Sequence, residues 1–255
     1  MNRLIPLKEP LAEALRPLLC YPRWDEAEFL SRLKELESLN VEAIELSGPT
    51  KIFNFQVLGK GCDSIVAASI LKGGDRCALK IRRLDASRVD TSHEAEMLEK
   101  ANAVGIGPKL RGYTRNFITM ELIEGKPLPQ WIKDLRGRGS SRRLKLVVVE
   151  ALKQCRLLDS IGLDHGELSR APKHVIIDHI DQPRIIDFES ASVVRRRSNV
   201  TALAQYLLVS SSLSREICKR LRIVSRDEVI DALRRYKNEP SDGNFEELLA
   251  TIELV

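Results

Sequence analysis

The sequence has no two cysteines spaced as a Cys-x-x-Cys pair, and its five cysteines (Cys20, Cys62, Cys77, Cys155, Cys218) leave an odd one over. This argues against a disulfide framework or a zinc site and for reduced thiols in a cytoplasmic protein. A long hydrophobic run is also missing. The most apolar helical stretch, near Leu144–Leu158, is interrupted by Glu150, Lys153 and Arg156, so no membrane span is expected. The N-terminal MNRLIPLKEPLAEALRPLLC spreads charges and prolines through itself and lacks the apolar core of a secretory signal. No internal repeat or low-complexity tract occurs. Charge of one sign is scarce as well: a net charge of +5 favours polyanionic partners such as nucleotides, RNA or acidic proteins without naming one.

What is present is an ordinary soluble composition, 43% hydrophobic and 30% charged over 255 residues. A chain of that size buries roughly 70–75% of its unfolded surface, enough for one large domain or two smaller ones. In WDEAEFLSRLKELESL, Phe29, Leu30, Leu33, Leu36 and Leu39 recur at helical spacing. From Val41 the period changes to short β-branched and apolar runs broken by glycines: VEAIEL, FNFQVLG, SIVAASIL and CALKIR. Lys72-Gly73-Gly74-Asp75 between the last two is a hairpin signal. A helix is expected over roughly 91–104, then a Gly107-Pro108 turn and two strand-like runs, KLRGYTR and FITMELI, closed by Gly125-Lys126-Pro127. Beyond that the pattern is mainly helical, with a helix ending at Gly162. Two short apolar runs, Val175–Ile177 and Arg184–Ile186, read as a small hairpin. Ser225-Arg-Asp-Glu228 has the form of a capping box.

Four separated elements carry chemistry. Gly59-Lys-Gly61 joins two strand-like runs, and glycines there let backbone N–H groups approach phosphate oxygens. Lys80 ends Ala78-Leu-Lys80, and a lysine facing inward from a sheet is costly unless an anion meets it. Glu94 shares a helical face with Leu98 and Ala101 and should point at the sheet, with Lys80 as its partner; Glu96 shares its face with Lys100 and reads as solvated. The fourth is DHGELSRAPKHVIIDHIDQPRIIDFES, with carboxylates at Glu167 and Asp187. Singly, the glycines make a plain hairpin and the lysine a solvated strand residue. Their joint order is the signal.

That order is the order of the protein-kinase fold, which the chain resembles: glycine loop, strand lysine, helix glutamate, His-x-acid loop, Asp-Phe-x motif. More closely it is similar to small atypical archaeal kinases, the RIO kinases and the kinase subunit of the KEOPS complex. The resemblance rests on Met120-Glu-Leu-Ile-Glu-Gly125 as hinge, His165-Gly-Glu-Leu-Ser169 and Ile185-Ile-Asp-Phe188, and covers about residues 52–210. The wording His-Gly-Glu-Leu-Ser resembles a group of predicted archaeal serine/threonine protein kinases. The implied fold is α+β and bilobal, with an antiparallel β N-lobe holding one helix (46–124) and a reduced helical C-lobe (125–255), after a helical N-terminal extension (1–45).

By position, the resemblance implies that Gly59, Gly61 and Ser64 cover the phosphates of ATP. Lys80, positioned by Glu94, holds the α- and β-phosphates. Backbone groups of Glu121 and Ile123 bind adenine beneath Val66 and Ala78. Asp187 binds Mg²⁺ or Mn²⁺, and Glu167 accepts the proton of the attacking hydroxyl. The chain departs from the pattern in places. Glu167 replaces aspartate, a stem longer by about 1.5 Å. The expected asparagine position holds Pro172, and His174 stands in its structural place after a two-residue insertion, where it reads either as part of a second metal site that favours Mn²⁺ or as a loop histidine that packs or bonds to backbone. Lys173 is placed to reach the transferred phosphate. Glu189 replaces the glycine of the metal motif and suggests a fixed conformation. Only about ten residues separate Ser190 from VTALAQYLL, leaving no room for a long activation loop or an Ala-Pro-Glu element.

The expected function is therefore an ATP-dependent phosphotransferase, an atypical serine/threonine protein kinase with an unidentified protein substrate. A nucleotide-binding pseudokinase scaffold and a small-molecule kinase on the same fold are the competing readings. The basic clusters RGRGSSRRLK (136–145) and RRR (195–197) read as solvated surface, or as contacts for an acidic or RNA-containing partner.

Overall fold

The structure, a computed structural model, describes residues 3–8, 10–223 and 225–253. The chain divides into two units, Met1–Glu99 with Pro108–Leu122, and Lys100–Gly107 with Ile123–Val255. It is a mixed α+β protein: a large antiparallel sheet in the first unit and mostly helices in the second. No helix among the described residues is long and apolar enough to cross a membrane.

The first unit contains β1 (Arg3–Pro6), α1 (Arg16–Leu19), α2 (Glu26–Ser38), β2 (Val41–Leu46), β3 (Thr50–Ile52), β4 (Phe55–Val57), β5 (Gly59–Lys60), β6 (Ser64–Leu71), β7 (Arg76–Arg82), α3 (starting at Ser92 and running to Asn102), β8 (Leu110–Tyr113) and β9 (Phe117–Met120). Seven strands make one sheet in the order β1-β2-β6-β7-β9-β8, with β5 added to β6. The expected hairpin joins β6 to β7, where Gly73 and Gly74 take the positive φ angles (106° and 91°) that a side chain would resist. The N-terminal segment differs from the helical extension expected. Its first residues form β1, pairing antiparallel with β2 from Arg3 opposite Leu46 to Pro6 opposite Ala43. Four residues alternating exposed Leu4 with buried Ile5 are too short to show a period in the sequence.

Period-2 alternation sorts β6, β7 and β9 into two faces. Ile65, Ala67, Leu79, Ile81 and Phe117 lie in one core with Leu15, Leu18, Phe29 and Leu36 from the N-terminal helices. Each such large side chain contributes about 1.5–3 kcal/mol by leaving water. Arg32 on α2 is fully buried, donating to the carbonyls of Leu19 and Arg82 and to Asn116 Oδ1 at 2.9 Å, which locks α2 to the sheet. The opposite face carries Val66 across from Lys80, and Ala68 across from Ala78. It is the face of small residues.

The second unit contains β10 (Gly125–Pro127), α4 (Leu128–Asp134), α5 (Ser140–Ser160), β11 (Val175–Asp178), β12 (Pro183–Ile185), α6 (Asn199–Ala204), α7 (Ser214–Leu221), α8 (Arg226–Asn238) and α9 (Asp242–Glu253). Helix α5 supplies the central buried stripe, including Leu144, Val148, Leu152, Cys155 and Leu158. It ends as expected at Gly162, with φ 73° and Leu163 N–H bonded to the Leu158 carbonyl at 3.0 Å. The hairpin of β11 and β12 gains a third strand, because Gly125-Lys-Pro127 pairs with β11 rather than serving only as a turn. A Cβ on Gly125 would sit 2.3 Å from the Ile177 carbonyl oxygen, so only glycine admits this approach. Ser225 accepts from the Glu228 N–H at the start of α8, as its capping sequence indicates.

Candidate active site

In the first unit the candidate residues cluster on the small-residue face of the sheet. Lys80 is buried, and its Nζ donates to Glu94 Oε1 at 2.7 Å. Glu94 stands in the first turn of α3, beside buried Ala95, Leu98 and Ala101, while Glu96 faces solvent. Asp90 starts this helix by accepting from the Ser92 N–H at 3.0 Å. A buried ion pair carries a desolvation cost that only good geometry offsets, and this one is short.

The glycine turn lies beside that pair. Gly59 is opposite Val66 at the start of β5, and the Gly61 N–H bonds to the Ser64 carbonyl at 2.7 Å, closing a tight turn. Gly61 and Cys62 are exposed at its tip, whereas Ser64 is buried at the base of β6. The turn is anchored from below: Arg83 donates to the Gly61 carbonyl at 2.9 Å, and the Ser87 hydroxyl donates to Asp63 at 2.6 Å. Glu121 closes the edge of the unit, its N–H taken by the Lys109 carbonyl at 2.8 Å. Of the two backbone groups that Glu121 offers to adenine, the amide is thus engaged within the sheet edge. Ile123, the other expected adenine contact, is half-buried at the start of the second unit.

In the second unit three candidate side chains meet. His174, buried at the foot of β11, places Nε2 at 2.9 Å from Glu167 Oε2 and Nδ1 at 3.6 Å from Asp187 Oδ2. Glu167 also accepts from the Ser190 hydroxyl at 2.6 Å on its other oxygen. The Ser190 hydrogen bond, ahead of the His174 charge, holds the Glu167 carboxyl below the ordinary glutamate range despite partial burial. Asp187 adopts φ 70°, a left-handed backbone rare outside glycine, and its carboxylate remains part-exposed. Lys173 is exposed and makes no hydrogen bond or ion pair among the described residues.

His165 supports the cluster from beneath. It is fully buried, its Nε2 lies 3.0 Å from the Ile186 carbonyl, and its ring meets the Phe188 ring edge-on at 5.0 Å. Burial, outweighing that backbone hydrogen bond, pushes its pKa down to about 4, so the ring is neutral and Nε2–H donates.

Gly166 occupies a position that a side chain could not fill without strain. Its φ is 88°, and a Cβ there would lie 2.8 Å from the Ser190 carbonyl oxygen. The guanidinium of Arg195 fills the adjoining space instead, donating to Asp164 through Nε and to the Ser190 carbonyl at 2.8 Å through Nη2. Asp164 and Ser192 exchange both backbone hydrogen bonds, at 2.8 and 2.9 Å, which ties the Glu167 loop to the segment after Phe188. Farther in, Asn199 accepts from the His165 N–H at 2.8 Å and donates to Asp159, which also accepts from Tyr236 at 2.9 Å.

Sequence reasoning misses this supporting set. Arg195 belongs to a basic run that reads as solvated, and all three of its arginines are exposed, yet the Arg195 guanidinium is tied into the Glu167 loop. The other basic cluster is surface, except that Arg143 makes a two-pronged pair with Asp181 at 2.6 and 2.8 Å. The one signal in the sequence is the pair of aspartates in DSIGLDHGE, two acids around a helix stop just before the loop.

The arrangement offers a part-exposed carboxylate that accepts a hydrogen bond from a hydroxyl, and a second carboxylate presented by a residue in left-handed conformation beside an imidazole. Nδ1 of His174 is buried, lies 3.6 Å from Asp187 Oδ2 and has no hydrogen-bond partner among the described residues. A buried ring nitrogen without a hydrogen-bond partner beside a carboxylate oxygen is a donor set that would suit a divalent ion. No protein-family model matches the chain, and no curated protein matches it in sequence.

Proposed function

We propose that the protein is an ATP-dependent phosphotransferase of protein-kinase-like fold, an atypical serine/threonine protein kinase that moves the γ-phosphoryl group of ATP to a hydroxyl. The observation that carries the reading is the buried 2.7 Å pair of Lys80 and Glu94 on the sheet face of Val66 and Ala78. In this reading Lys80 neutralises the α- and β-phosphates, Glu94 aims it, and Val66 and Ala78 cover the adenine. A Cβ on Gly59 meets nothing within 4 Å, so the chain itself does not require glycine there, which is compatible with the glycine leaving clearance for phosphate. Asp187 and His174 would hold Mg²⁺ or Mn²⁺, which would supply positive charge against the phosphates. Glu167 orients the acceptor hydroxyl and takes its proton. Its low pKa suits a base that receives the proton late, after the bond to phosphorus has largely formed.

One observation favours a second reading, a nucleotide-binding scaffold without turnover: both oxygens of Glu167 are already engaged, by Ser190 and His174. Incubation with γ-labelled ATP, Mg²⁺ or Mn²⁺ and dephosphorylated casein separates the two. Transfer of label by the wild type, lost in Glu167→Gln and Asp187→Asn, is the expected result. Nucleotide binding with no transfer to any protein hydroxyl would favour the scaffold.

A further inference from the structure

Ser190 stands where an acceptor hydroxyl has to stand. A general base must lie within hydrogen-bond reach of the proton it removes, about 2.6–3.2 Å. The Ser190 hydroxyl donates to Glu167 Oε1 at 2.6 Å. Nor is that position accidental to a mobile side chain. The Ser190 carbonyl is held by Arg195 Nη2 at 2.8 Å and lies directly over Gly166, in space that only glycine leaves open. On its N-terminal side, the turn from Phe188 to Ala191 is closed by a 3.0 Å backbone hydrogen bond. Ser190 is three residues beyond Asp187 and half-buried. His174, on the other Glu167 oxygen, keeps the carboxylate turned with Oε1 toward the serine.

We infer that Ser190 is an internal phosphoacceptor: the chain phosphorylates this hydroxyl in cis before, or in place of, an external one. The inference rests on the phosphotransferase reading above. In the step, a bond forms between Ser190 Oγ and the γ-phosphorus of ATP as the bond from that phosphorus to the bridging oxygen breaks. The electron pair of the broken bond leaves with ADP, and the Oγ proton passes to Glu167 Oε1. The product places a phosphoryl group of about −1.5 to −2 charge beside Glu167, with the Arg195 guanidinium, which holds the Ser190 carbonyl, nearby as its counter-charge. Repulsion from the Glu167 carboxylate turns the modified side chain away and opens Glu167 Oε1 to a second hydroxyl.

The test is site mapping. The full chain is incubated with γ-labelled ATP and Mn²⁺ or Mg²⁺, digested, and the phosphate located by mass spectrometry, with ADP release and casein labelling followed in parallel. The expected result is one phosphoryl group at residue 190, formed at a rate that does not change with protein concentration. Ser190→Thr should carry phosphothreonine in the same peptide, and Ser190→Ala should leave that peptide unmodified. Phosphate at another residue, or a rate that rises with protein concentration, overturns the inference. ADP release or labelled casein with residue 190 unmodified overturns it while leaving the phosphotransferase reading standing. Absence of ADP and of label in every sample overturns both.

Discussion

His165 makes the acid stability of the second unit calculable. Its imidazole is buried and neutral, with a folded pKa of about 4, against about 6.5 in an unfolded chain. Between those values only the unfolded state binds the proton, so stability is lost as pH falls through about 6.5 toward 4. The full shift of about 2.5 units is worth about 3 kcal/mol, of which about 2 kcal/mol is already gone at about pH 5. Glu167 acts in a different window: its lowered pKa gives stability that is present above the ordinary glutamate value and lost only as pH falls below it. Urea unfolding followed by circular dichroism at about pH 7.5 and about pH 5 reads the difference, on the order of 1 M in midpoint. His165→Gln keeps an N–H for the Ile186 carbonyl but has no proton to bind, so it should lose about 2 kcal/mol less than wild type over the same interval. Equal losses in the two proteins would refute the assignment of His165 as a buried neutral donor.

Two further outcomes follow from the geometry. Gly166→Ala must hold alanine at φ 88° with its Cβ 2.8 Å from the Ser190 carbonyl, and should lose about 1–3 kcal/mol in urea unfolding; a change of only a few tenths would mean the loop yields easily. Lys80→Met removes the cation from buried Glu94 and should cost about 3–5 kcal/mol, most of it recovered in the double variant with Glu94→Leu, whereas equal stability of the two variants would show that the pair is not desolvated.

Legibility in the sequence differs from element to element. The strand Cys77-Ala-Leu-Lys-Ile81 shows its alternation openly, so the pattern alone puts Lys80 on one face and Leu79 on the other. The same holds for Glu94, whose helical face is written in Leu98 and Ala101. His174 is legible as the residue just before the apolar run of β11, and it does lie against Glu167. Strand β1 is not legible, because four residues cannot show a period and its partner β2 is some forty positions away. Strand β10 is hidden by its glycine and proline, which read as a turn and pair only at a sheet edge. Asp164, Arg195, Asp159, Asn199 and Tyr236 are out of reach for a more general reason. Each is defined by a partner 31 to 77 residues away, and no local pattern marks such a pair.

The central claim is phosphoryl transfer, and the most direct measurement is ADP formed from ATP by the purified chain with Mn²⁺ or Mg²⁺, compared with Asp187→Asn. The account predicts ADP from the wild type, accompanied by a phosphorylated protein hydroxyl, and none above background from the variant. Wild-type protein that binds ATP yet forms no ADP, or a variant that forms it equally well, would contradict it.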